Sequence, residues 1–160
     1  MKEGWFLTWD IGDIDPEGFL KITDRKKDLI VTAGGKNVAP QKIENLLKTN
    51  KYISQVMVHG DKRKFLSALI TLNREEIERV AKEQQWKLNA NLSHHPEVLK
   101  LVGNIVDEKN HKLASYETIK KFQIIDNDFS IETCELTPSL KVKRKYCNQK
   151  YKDIIDRFYE

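Results

Sequence analysis

Basic side chains cluster at three points, residues 25 to 27, 62 to 64 and 141 to 145. Ammonium and guanidinium groups this close together suit phosphate-bearing ligands, an anionic membrane surface or nucleic acid, and each cluster equally fits a solvated turn or helix end. The net charge of +4 is mildly basic and agrees with any of these partners. The histidines, His59, His94, His95 and His111, show no metal-ligand spacing, nor do Cys134 and Cys147, so no metal site is expected. Only two cysteines, in a reducing compartment, read as free thiols rather than a disulfide.

The elements that must position these groups follow from hydrophobic periodicity. Asp15, Pro16, Glu17 and Gly18 form a turn between two β-prone runs, so residues 5 to 24 read as a hairpin. Leu29, Ile30 and Val31 make a short strand, Gly34 and Gly35 a flexible reversal, and Pro40 opens a helix. That helix has Ile43, Leu46 and Leu47 on its apolar face and Lys42, Glu44, Asn45 and Lys48 toward water.

Tyr52 to His59 and Phe65 to Leu72 read as an antiparallel strand pair turning at Gly60 and Asp61, with Leu66, Ala68, Ile70 and Leu72 sharing a face. Asn73 caps a helix over Arg74 to Trp86. The loop KLNANLSHHP leads to an amphipathic helix marked by Val98, Leu101, Val102, Ile105 and Leu113. A third strand follows at Phe122, Ile124 and Ile125, and a last helix begins near Lys145.

The stretch NDFSIETCELTPSLKVKRK between them is polar, holds Pro138 and reads as an exposed loop long enough to enter a neighbouring site. The sum is an α+β fold, a small antiparallel sheet flanked by helices and preceded by a β-hairpin. With 39% hydrophobic and 32% charged residues, the 160-residue chain has the composition of a folded domain. No apolar run approaches the roughly 20 residues that span a bilayer, and MKEGWFLTWD lacks signal-peptide order, so a cytoplasmic setting is expected.

Three segments in order, GWFLTWDIG, DRKKDLIVTAGGKNVAPQKIE and LTPSLKVKRK, resemble core motifs of the adenylate-forming enzyme family. The forms DRKKD, GDKRKFLSALITL and YKDIIDRFYE are most similar to long-chain and very-long-chain fatty acyl-CoA synthetases. The resemblance covers nearly the whole chain. It implies an AMP-forming ligase that joins a fatty acid to AMP and then to CoA, using ATP and Mg2+. The family's glycine-, serine- and threonine-rich phosphate loop is absent from these 160 residues. Residues 1–26 therefore correspond to the tail of a large N-terminal domain and residues 27–160 to a small C-terminal lid. The chain alone is expected to be inactive as a ligase, its principal partner being its own N-terminal domain.

The resemblance also implies roles. Asp10 would accept hydrogen bonds from the ribose hydroxyls, for which two carboxylate oxygens are suited. Trp9 beside it stands where the family usually has glycine. Arg25 would contact the ribose and phosphate region through its rigid fork of donors. Lys27 would be the hinge, a role of its backbone. Gly34, Gly35, Lys36 and Asn37 resemble the loop that lines the CoA tunnel. Lys141 matches the catalytic lysine of adenylation. An ammonium there offsets the repulsion between an attacking carboxylate and the α-phosphate and stabilises the charge that builds in the transition state.

Two alternatives remain open to the sequence. One keeps the family and changes the acceptor to a carrier protein. The other is a basic binding module for RNA or an anionic membrane, which the lack of aromatics interleaved with the basic runs argues against for nucleic acid. Peripheral contact with the inner face of a membrane is compatible with the mild basicity.

Overall fold

A computed structural model describes residues 4, 7–26, 28–88 and 91–160, with the side chains at 23–25 outside the description. The expected hairpin is present over residues 10–25, with residues 5 and 6 of the expected span outside the described residues: β1 (Asp10–Ile14) pairs antiparallel with β2 (Leu20–Arg25). Asp15 shapes its turn, since its carboxylate accepts from the amides of Glu17 and Phe19. A second short hairpin joins β3 (Ile30–Val31) to β4 (Asn37–Val38) around the two glycines.

Helix α1 (Pro40–Lys48) starts at proline, whose fixed φ and missing amide suit a first helical position. Its buried residues are Pro40, Ile43, Glu44 and Leu47, a spacing of three and four that makes one stripe. Glu44 thus lies on the buried face, against the sequence expectation of exposure, while Leu46 is only half-buried.

The main sheet has the order β5 (Ile53–His59), β6 (Leu66–Leu72), β7 (Ile119–Ile125). The β5–β6 pair is antiparallel as expected, but β7 runs parallel to β6, so the sheet is mixed rather than antiparallel. The crossover containing α2 (Arg74–Glu83) and α3 (Pro96–Asn110) returns the chain to the end where β6 began. Central strand β6 is buried along its whole length. Leu66, Ala68, Ile70 and Leu72 join a core with Ile43, Leu47, Ile77, Val98 and Val102. Leu69 and Met57 join a second core with Phe129, Leu136, Cys147, Ile155 and Phe158. The result is three layers, in which the sheet separates α1, α2 and α3 from the C-terminal helices α4 (Arg144–Lys150) and α5 (Lys152–Arg157).

Three helix features differ from the pattern. Asn73 occupies the N-cap of α2 without a side-chain cap bond. The helix stops at Glu83 because Gln85 turns left-handed, φ 57°, and the Trp86 amide donates back to Ala81. The final helical segment is broken at Tyr151 into α4 and α5.

Candidate functional site

Lys141 lies near the tip of a tight hairpin inside the long loop before α4. Leu136 and Val142 form an antiparallel bridge. Within it, Thr137 N–H donates to Lys141 O at 2.8 Å and Lys141 N–H to Thr137 Oγ1 at 3.1 Å. Pro138 sets the second position of the turn closed by Leu140 N–H and Thr137 O at 2.8 Å. Leu140 takes a left-handed φ of 57°. Lys141 is exposed, whereas Glu135 and Leu136 at the base are buried. The loop is therefore rooted in the core at one end and open at the other.

Two buried carboxylates, Glu135 in the loop and Glu44 of α1, hold that root. Glu135, 1% exposed, accepts from Lys150 Nζ at 2.5 Å, from Tyr151 OH at 2.9 Å and from Thr133. Burial would raise its pKa, but the three side-chain hydrogen bonds outweigh it and hold the carboxyl down at about 2. Glu44 accepts from Val58 N–H at 2.8 Å and from Arg144 Nη2 at 2.5 Å. Arg144 also donates from Nη1 to Val58 O at 3.2 Å. Lys141, Glu44 and Arg144 line one cleft of about 340 Å³ together with Asp28, Gln41 and Lys48. Gln41 Nε2 donates to Asp28 at 3.3 Å, which ties the residue after the expected hinge to α1.

The glycine loop has a different support. Gly35 takes φ 73° and donates to Thr32 O at 2.8 Å, closing the turn. Ala33 N–H donates to Arg63 O and Lys62 N–H to Val31 O, which braces the loop against the β5–β6 turn. Lys36 Nζ stands 5.9 Å over the ring of Tyr116, from the 3-10 turn before β7. Gly34, Gly35, Lys36 and Asn37 are all exposed.

Asp10 and Arg25 are cross-strand register partners of β1 and β2, so the two expected nucleotide contacts are brought to one end of the first hairpin. Asp10 is half-buried beside a small cleft lined by Leu7, Thr8, Trp9 and Lys26. The side chain of Arg25 and the whole of Lys27 lie outside the described residues. Trp9 adopts φ 62°, a conformation open to glycine and strained for a side-chain-bearing residue. Lys26 Nζ packs 5.5 Å over its ring.

Sequence reasoning missed Glu44, Glu135 and Arg144. For Glu44 the spacing Pro40, Ile43, Glu44, Leu47 was the available signal; for the other two no local pattern marks burial.

A family model described as the AMP-binding enzyme C-terminal domain matches residues 27–160. A curated long-chain-fatty-acid–CoA ligase of Mycobacterium tuberculosis is 41% identical over 162 residues, covering 99% of this chain and 27% of the relative. A long-chain-fatty-acid–CoA ligase of Rattus norvegicus is 38% identical over 179 residues, covering 99% of this chain and 25% of that protein. The chain thus spans about a quarter of the length of these relatives.

Among solved structures, the adenylation domain of a carboxylate reductase from Mycobacterium chelonae superimposes with TM-score 0.78 at 23% identity, a likeness of fold. It covers 99% of this chain and 24% of that one. A Mycobacterium tuberculosis fatty acyl CoA synthetase superimposes with TM-score 0.57 at 26% identity, covering 96% of this chain and 26% of the other. A match running from residue 27 to the last residue, on an α+β fold shared with adenylate-forming enzymes, places this chain in the family of AMP-binding enzyme C-terminal domains.

Proposed function

We propose that the chain is the catalytic lid of an AMP-forming long-chain fatty acid–CoA ligase. The observation that carries this reading is the placement of Lys141, exposed on a hairpin whose base is buried and ion-paired. In the first half-reaction the Lys141 ammonium offsets repulsion between the fatty acid carboxylate and the α-phosphate of ATP as pyrophosphate leaves. Asp10 holds the ribose hydroxyls and Arg25 the neighbouring phosphate region.

The lid then turns about Lys27, Lys141 withdraws, and the Gly34–Asn37 loop arrives to line the path by which the CoA thiol attacks the acyl-adenylate. Gly35, with open space around its α-carbon, suits such close passage. A boundary at residue 27 is supported by the start of the family match.

The segment before that boundary would belong to the tail of the large N-terminal domain. Ile14, Phe19, Leu20 and Ile22 are each more than half exposed on the first hairpin, which supports a partner surface there. Among the described residues no group of three His, Cys, Asp or Glu side chains converges on a metal position. Mg2+ would accordingly be held by the ATP phosphates and by residues of that large domain. No helix among the described residues is long and apolar enough to cross a membrane. We place the activity in the cytoplasm, with peripheral contact at a membrane face where long-chain acids partition. The names of the sequence relatives favour free CoA over a carrier protein as acceptor.

The test is Lys141→Ala in the full-length protein. Pyrophosphate release should fall a hundredfold to a thousandfold, about 3 to 4 kcal/mol, while thioester formation from supplied acyl-adenylate persists. Lys143→Ala should leave pyrophosphate release within a few-fold. Unchanged release in Lys141→Ala with loss in Lys143→Ala would overturn the assignment.

A further inference from the structure

We infer that Glu44 and Arg144 are positioning residues for Lys141, setting where its hairpin stands relative to α1 and β5. The inference rests on the reading that Lys141 serves adenylation. Glu44 comes from the middle of α1, Val58 from β5, and Arg144 from the first turn of α4, three residues after Lys141. Their polar groups close a ring around one residue of β5. The Val58 amide donates to Glu44 and its carbonyl accepts from Arg144, while Arg144 donates a second time to Glu44.

A fork of donors held by two acceptors at fixed spacing restrains rotation as well as distance, unlike a single ammonium contact. Both side chains are largely shielded, at 8% exposure for Glu44 and 18% for Arg144, so water competes little for the ring. The other end of α4 is held separately by Lys150 on Glu135, and Glu135 O accepts from Lys143 N–H at 2.7 Å. The short connection from Lys141 to α4 is thereby fixed on both sides. Lys141, Glu44 and Arg144 face the same cleft, so a shift of the ring moves the base from which the lysine reaches. A displacement near 1 Å at a reacting group can cost about a hundredfold in rate.

The test is Arg144→Gln in the full-length protein, with three readouts beside thermal stability. The kcat of pyrophosphate release should fall about tenfold to a hundredfold, KM for ATP and fatty acid should change less than about threefold, and thioester formation from supplied acyl-adenylate should be unchanged. A merely structural role would lower both half-reactions together. If Arg144→Gln does not fold, Glu44→Gln carries the same test, because its amide oxygen still accepts from Val58 while the charge facing Arg144 is gone. Equal loss in both half-reactions, or no loss in a folded variant, would overturn the inference. Lys141→Ala run alongside separates the two levels. If it leaves pyrophosphate release intact, the functional reading fails; if it abolishes release while Arg144→Gln does not, only the positioning role fails.

Discussion

Lys150 Nζ stands 2.5 Å from Glu135 Oε1, and that ion pair joins α4 to the foot of the Lys141 hairpin. Because the Glu135 carboxyl is held down at about 2 against an ordinary 4.5, its folded form binds a proton less readily than its unfolded form. Its contribution to stability is therefore complete above about pH 4.5 and is lost as pH falls toward about 2. Denaturant midpoints measured across that window should decline for the wild type. Glu135→Gln should flatten this part of the decline and lower stability at pH 7 by about 1 to 2 kcal/mol.

The two thiols should behave differently. Cys147 is fully buried, and burial together with the nearby Glu135 charge pushes its thiol up to about 11. Cys134 is exposed. At pH 8 a chromogenic disulfide reagent should titrate one thiol of the native 160-residue chain quickly and the second only after denaturation. Cys134→Ser should remove the fast phase; a fast reaction persisting in that variant would contradict the buried placement of Cys147.

Gly34 and Gly35 separate conformational need from space. Gly35 has φ 73°, whereas Gly34 has an ordinary φ and only Thr32 Oγ1, at 3.9 Å, near an added methyl group. Gly35→Ala should cost about 1 kcal/mol of stability and Gly34→Ala much less, by chemical denaturation. Under the proposed function, both should slow thioester formation more than pyrophosphate release, since an added methyl narrows the path of the thiol.

Trp9 makes the opposite prediction. It holds φ 62° at the entry to the first hairpin, half exposed, with Lys26 against its ring as partial compensation. Trp9→Gly should raise stability by roughly 0.5 to 1 kcal/mol, the relief of left-handed strain less the entropy of glycine and the lost cation contact. A drop in unfolding midpoint would show that the ring contributes more than the strain removes.

Turn chemistry and periodicity determined most of the local structure. Asp15 to Gly18 specified the first hairpin, the glycine pair the second, and Pro40 the start of α1, since each depends on residues only a few positions apart. The order of the three motifs also singled out Asp10 and Lys141 as candidates, while the tight turn at Pro138 emerged only in the structure, the sequence itself predicting an exposed loop. Tertiary structure alone decided that β7 lies parallel to β6, because a strand's own pattern is silent about direction. It decided too that β6 is covered on both faces, by one core that includes α1, α2 and α3 and another that includes the segment from Phe129 to Phe158. Above all it decided the fate of the buried charges. A glutamate on a helix reads as solvent-facing until its partner is known, and the guanidinium that makes burial of Glu44 tolerable lies 100 residues further along. Charge compensation acts through space, and spacing along the chain does not encode it.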